Sequence, residues 1–121
     1  MEYKTHHSCI RITKLQEELA FYKDAIGFTT QSIVQHTINI VSYFIGKKSG
    51  CVLQLLVAPG NTAEHAGYGH FAVETDDIQA SFTRHETMGI VTGPITEQPH
   101  QFGYFIRDPE GYETEIVQLK R

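Results

Sequence analysis

Residues 7–28 read H-S-C-I-R-I-T-K-L-Q-E-E-L-A-F-Y-K-D-A-I-G-F, and residues 70–90 read H-F-A-V-E-T-D-D-I-Q-A-S-F-T-R-H-E-T-M-G-I. Both stretches open on a histidine, alternate apolar and polar side chains, switch to helical spacing and stop near a glycine. A shift of 63 residues lays Ile10 on Val73, Leu15 on Ile78, Gln16 on Gln79 and Leu19 on Phe82. A repeat of this length implies two copies of one supersecondary unit, which associate because neither buries its apolar face alone. Each copy also ends on a polar residue within an apolar run. Gln54 in C-V-L-Q-L-L-V follows His7 by 47 residues, and Glu115 in Y-E-T-E-I-V-Q follows His70 by 45.

Working outward, residues 5–12 alternate with Ile10 and Ile12 on one face and His7, Cys9 and Arg11 on the other, a strand with one apolar side. Thr13 followed three residues later by Gln16 is a capping box for a helix. Leu15, Leu19, Tyr22 and Ile26 form its buried stripe, and Gly27 is a natural stop. Three β-rich runs follow at about 28–35, 38–45 and 51–57, with K-K-S-G between the last two. A polar, turn-rich connector, A-P-G-N-T-A-E-H-A-G, leads to the second copy. There a strand at about 69–75 precedes a helix capped by Asp76 or Asp77, with Ile78, Phe82, His85 and Met88 on one side and Gly89 at its end. Short strands at 90–91 and 102–107, the turn D-P-E-G and a strand at 112–118 complete the chain. The order is βαβββ twice, an α+β fold.

Side chains two apart on a strand share a face. Ile10 and Ile12, Phe71 and Val73, Leu53, Leu55 and Val57, and Thr114 and Ile116 all take the helix side. His7, Gln54, His70 and Glu115 therefore point away from the helices. Each alone is an ordinary structural residue; their common parity and repeat-related spacing make them a candidate metal-ligand set. Imidazole and carboxylate suit Zn, Ni, Co, Mn or Fe(II), and an amide oxygen joins more weakly. Four protein ligands leave positions of an octahedral ion open to substrate. Glu74 and Glu113 share the same side by parity. Of the other histidines, His85 falls on the helix stripe as a packing residue, His6 faces the helix side, His65 and His100 lie in loops, and His36 sits at a turn with no role.

Bulk properties narrow the classes. The 121 residues are 40% hydrophobic and 20% charged, a globular balance. A net charge of −4 argues against a nucleic-acid partner. No apolar run approaches the ~20 residues of a membrane helix, and M-E-Y-K-T-H-H has no signal-peptide core. Two cysteines, Cys9 and Cys51, are too few for a disulfide framework, so a cytoplasmic setting is expected.

These stretches, together with G-Y-G-H-F-A-V-E-T-D-D-I at 67–78, G-I-V-T-G-P at 89–94 and D-P-E-G-Y-E-T-E-I-V-Q at 108–118, resemble the vicinal oxygen chelate superfamily, and within it the bacterial glyoxalase I (lactoylglutathione lyase) branch. The resemblance spans the chain apart from residues 29–48 and the connector. It implies the glyoxalase/bleomycin resistance protein/dioxygenase fold, one domain over residues 1–121 in which a curved mixed sheet surrounds a metal cleft. Module 1 would cover about 1–58, the connector about 59–67 and module 2 about 68–121. It further implies one divalent metal ion per site (Ni, Zn, Co, Mn or Fe) on His7, Gln54, His70 and Glu115. Glu115 would be the catalytic base that moves a proton between adjacent carbons of a 2-oxoaldehyde–thiol hemithioacetal, and Arg11 would hold a substrate carboxylate. A homodimer is implied as well, its clefts combining module 1 of one chain with module 2 of the other.

Two positions depart from that branch. Gln54 stands where a second glutamate is usual, and Ala58 stands where an asparagine contacts glutathione. A His/Gln/His/Glu set also resembles methylmalonyl-CoA epimerase, although T-T-Q-S-I-V-Q carries no second acid. His7, His70 and Glu115 resemble the triad of fosfomycin-type thiol transferases and extradiol dioxygenases. A non-catalytic small-ligand binding protein is the reading from a different class.

Overall fold

Gly27 and Gly89 adopt the left-handed conformation, φ 73° and 75°, and each ends a helix, so the two punctuation marks of the repeat are real backbone features. The computed structural model describes residues 2, 6–48, 52–60 and 70–121. Thr5, Ser49, Gly50, Cys51, His65, Gly69 and positions 61–67 of the connector lie outside the described residues. The elements are β1 (Ser8–Ile12), α1 (Leu15–Ile26), β2 (Thr29–Thr37), β3 (Ile40–Gly46) and β4 (Val52–Val57), then β5 (Phe71–Glu74), α2 (Ile78–Met88), β6 (Thr96–Glu97), β7 (Gln101–Arg107) and β8 (Glu113–Leu119). They form two compact units, Met1–Glu64 and His65–Arg121.

Each unit builds one four-stranded mixed sheet, β1-β4-β3-β2 in the first and β5-β8-β7-β6 in the second. The first and last strands of a unit are parallel neighbours, and the remaining pairs are antiparallel. The apolar parity expected from the sequence is what the core contains. Ile10, Ile12, Leu53 and Leu55 in the first unit, and Tyr104, Ile106, Thr114 and Ile116 in the second, are all buried. Fully burying an aliphatic side chain of this size is worth roughly 2 kcal/mol, so reversing the register of one strand would forfeit several such terms together.

Several local expectations are corrected. The first strand begins at Ser8, which leaves His6 and His7 ahead of the ladder. His6 is exposed rather than turned to the helix, its Nδ1 2.7 Å from that of His7. Helix α1 has Lys14 as its N-cap, with no side-chain hydrogen bond there. Gln16 is then the second helical residue, one short of the position a capping box requires. The buried face of α1 is Glu18, Phe21, Tyr22 and Ala25, with Leu15, Leu19 and Ile26 along its flank. The charged Glu18 at its centre hid that face from a hydrophobicity pattern. The strand expected at 90–91 is reduced to one antiparallel bridge, Val91 to Ile106, flanked by hydrogen bonds from Thr92 N to Phe105 O and from Arg107 N to Ile90 O, and the next strand is β6. Pro94 between them has no N–H to give a ladder. His36 is not at a turn but inside β2.

Helix α2 follows its signals more closely. Asp77 is the N-cap and accepts a hydrogen bond from Ala80 N at 3.0 Å. Gln118 Oε1 on β8 accepts from Ile78 N at 2.7 Å, tying the helix start to the sheet. His85 is buried and its Nδ1 lies 2.7 Å from the Tyr104 hydroxyl, which also meets Ser81 Oγ at 2.6 Å. Burial pushes the Tyr104 phenol up from its ordinary range, with the Ser81 bond and the Arg84 charge acting against it. Met88, expected on the buried stripe, is exposed. The N-cap gives a direct test of this part of the fold. Asp77→Ala should lower stability by about 1 kcal/mol, read as a fall of roughly 4 °C in Tm; an unchanged Tm would show that the cap bond contributes nothing.

Candidate metal centre

In the second unit β8 places Glu115 opposite Phe105 on β7 and beside Ala72 on β5. The side chain is 16% exposed and its Oε1 lies 3.2 Å from His70 Nε2. Gln101 Nε2 donates to Glu115 Oε2 at 3.4 Å. His70, one residue ahead of β5, stands edge-on to the Phe105 ring at 5.0 Å and 89°. Gly103 on β7 lies beside the Glu115 carboxylate. A Cβ there would stand 3.2 Å from Glu115 Oε2 and 3.4 Å from the Ile116 carbonyl oxygen, tighter than ordinary contact.

The first unit repeats the plan with different chemistry. Gln54 lies opposite Phe44 on β3 and beside Cys9 on β1. His7 stands edge-on to the Phe44 ring at 5.5 Å and 85°. Gln54 Nε2 donates to Ser42 Oγ at 2.7 Å, and His36 Nε2 lies 2.7 Å from that same hydroxyl. Ser42 is fully buried. Cys9 is an exposed residue, yet desolvation of its sulfur pushes the thiol up from its ordinary range, the Arg11 charge opposing. A thiol kept protonated is a poor metal ligand. Arg11 is exposed on β1, two residues along from Cys9 and on the same strand face.

The structure thus brings His70 and Glu115 together and gives His7 and Gln54 a common neighbour in Phe44. Among the described residues no group of three or more His, Cys, Asp or Glu side chains gathers as an ion site. Each unit supplies one histidine and one oxygen donor. The donor chemistry fits a divalent ion in the second unit. Two ligands each about 2.1 Å from one octahedral ion stand about 3 Å apart, close to the 3.2 Å between His70 Nε2 and Glu115 Oε1. Two other acids share their strand face, each in a solvent-exposed ion pair. Glu74 pairs with Arg121 at 2.9 Å, and Glu113 with Arg107 at 3.9 Å.

The sequence reading missed Phe44, Phe105, Ser42, His36, Gln101 and Gly103. A signal for the first two was present. Tyr43-Phe44-Ile45 and Tyr104-Phe105-Ile106 are the same triplet 61 residues apart, the offset that also relates Gln54 to Glu115 and Ser42 to Gly103. The 63-residue shift that aligns the histidines is out of step with it, because the second copy is two residues shorter.

The family model of the glyoxalase/bleomycin resistance protein/dioxygenase superfamily matches residues 4–116. A Vibrio cholerae protein named as a probable lactoylglutathione lyase is 30% identical, over 95% of this chain and 90% of its own length. Among solved structures, the trypanothione-dependent glyoxalase I of Leishmania major superposes with a TM-score of 0.81 at 22% identity, covering 97% of this chain and 87% of that one. TnmS3, an antibiotic binding protein from Streptomyces sp. CB03234, superposes with a TM-score of 0.74 at 19% identity, covering 99% of each chain. These two likenesses establish a shared fold that serves an enzyme and a binding protein alike. With two βαβββ units, a histidine at the head of each and a polar residue in its last strand, the chain belongs to the glyoxalase/bleomycin resistance protein/dioxygenase superfamily.

Proposed function

We propose that this protein is a glyoxalase I-type metalloenzyme that isomerises the hemithioacetal of a 2-oxoaldehyde and a thiol. The observation that carries the proposal is the 3.2 Å approach of His70 Nε2 to Glu115 Oε1, a two-ligand bite on one strand face. In this reading His7 and Gln54 complete the ligand set, and a homodimer houses the sites. The proposal requires one pair from each kind of unit and is indifferent to whether both come from one chain. A divalent ion bound there would supply a Lewis acid that polarises substrate oxygen.

The residues themselves define the rest of the chemistry. Glu115 takes a proton from one carbon and returns it to the neighbouring carbon, because Gln54, an amide, cannot hold one. One carboxylate performing both transfers keeps them on one face of the substrate. Gln101 steadies the Glu115 oxygen that does not face His70. Arg11 offers a planar fork to a carboxylate on the thiol. Support for this reading comes from the lactoylglutathione lyase name of the Vibrio cholerae relative. The amide at Gln54 favours one other reading, a protein that binds a small ligand without turning it over.

Three measurements separate these. Metal analysis of the purified protein should find about one divalent ion per chain, lost on chelation and regained with Ni or Co; no uptake of any divalent ion would sink the enzyme reading. With metal present, methylglyoxal plus a thiol should be converted, and Glu115→Gln should cut the rate by about 100-fold or more; a rate unchanged in that variant removes the assigned base. Gly103→Ala should crowd the Glu115 carboxylate and weaken Ni affinity roughly tenfold while leaving the fold intact, and unaltered affinity would show that the glycine has no part in the site.

A further inference from the structure

We infer that Ser42 and His36 are positioning residues that fix the side-chain amide of Gln54, so that this chain has a built amide site rather than a decayed carboxylate site. The inference rests on the metal reading above and deepens it. Gln54 Nε2 donates to Ser42 Oγ over 2.7 Å, and His36 Nε2 stands 2.7 Å from the same oxygen. Ser42 is fully buried on β3, where a hydroxyl lacking partners would be costly. One hydroxyl has one hydrogen to give. When it goes to His36 Nε2, with the ring hydrogen on Nδ1, the Ser42 oxygen can only accept from Gln54. The Gln54 NH2 group is then committed to Ser42, and the amide oxygen is turned the other way as the metal donor. Without that restraint the amide is free to rotate and present its NH2 group, which repels a cation.

The second unit supplies the internal control. Ser42 and Gly103 occupy equivalent places, 61 residues apart, each near the donor of its own unit. Beside the amide stands a hydroxyl that binds it. Beside the carboxylate stands a glycine whose missing Cβ leaves 3.2 Å to Glu115 Oε2. A carboxylate offers an oxygen whichever way it turns and needs room; an amide needs to be told which way to turn. The difference at positions 42 and 103 therefore matches the difference at positions 54 and 115. Each unit thus pairs its polar residue with a neighbour suited to that residue's chemistry.

The test measures the amide and the metal separately. In metal-free protein labelled with 15N, the Gln54 side-chain NH2 signals, assigned by their loss in Gln54→Ala, should shift in Ser42→Ala and to a lesser degree in His36→Ala. Ni affinity should fall about tenfold in Ser42→Ala, as for other residues that orient a ligand through a hydrogen bond. In a Gln54→Ala background, Ser42→Ala should change Ni affinity no further, whereas a purely structural role would lower it again by a similar factor. Ser42→Thr, which keeps the hydroxyl, should restore both readouts if it folds. NH2 signals indifferent to Ser42→Ala overturn the inference, and so does Ni affinity unaltered by that change. Failure of the wild-type protein to take up any metal instead removes the metal reading and the amide's role as donor with it, while the NH2 signals still decide whether Ser42 orients the amide.

Discussion

The parallel ladder between the first and last strands of each unit is the constraint on which the rest depends. Because β1 runs beside β4 and β5 beside β8, residues at the two ends of a long stretch of sequence are set side by side. Parity then decides everything that follows. Once Leu53 and Leu55, or Thr114 and Ile116, are buried, Gln54 and Glu115 have no choice but the other face. Phe44 and Phe105 arrive on that face from the neighbouring antiparallel strand, directly opposite Gln54 and Glu115. The helices contribute by covering the apolar side, and Gln118 on β8 ties the start of α2 to its sheet.

How much of this was legible in the sequence follows from the range of each interaction. Gly27, Gly89 and Asp77 act within one helical turn, so their signals are local and were read correctly. Strand parity is also local, and it placed Ile10, Leu53, Thr114 and Ile116 without error. The network around Gln54 depends on pairing between strands. Ser42 reaches Gln54 across 12 residues, and His36 reaches Ser42 across the β2–β3 hairpin. Irregular register between Thr30 and Ser32 and between Gln35 and Thr37 breaks the alternation of β2, which is why His36 looked like a turn residue. Glu18 was misjudged for a different reason. A charged side chain at the centre of a buried helix face contradicts the hydrophobic pattern from which such faces are inferred.

The two copies have kept the scaffold and diverged where electrons matter. Both retain a histidine set edge-on against a phenylalanine, an arrangement that orients the ring without using either ring nitrogen. They differ in the group beside it: a carboxylate that accepts from Gln101 in one, an amide that donates to Ser42 in the other. The two strand faces therefore present different chemistry on matching backbones, an asymmetry that two identical copies would lack.

Gly103 carries a consequence for how this protein can change over generations. A fresh tandem duplication tolerates exchange of segments between its copies, since each part fits either place. Here a strand carried from the first copy into the second would press a Cβ to within 3.2 Å of a Glu115 carboxylate oxygen, which would have to shift, and the reverse exchange would deprive the Gln54 amide of its partner. The halves have ceased to be interchangeable parts. Restoring symmetry by single steps would have to pass through a chain in which Gln54 or Glu115 has lost its matched neighbour.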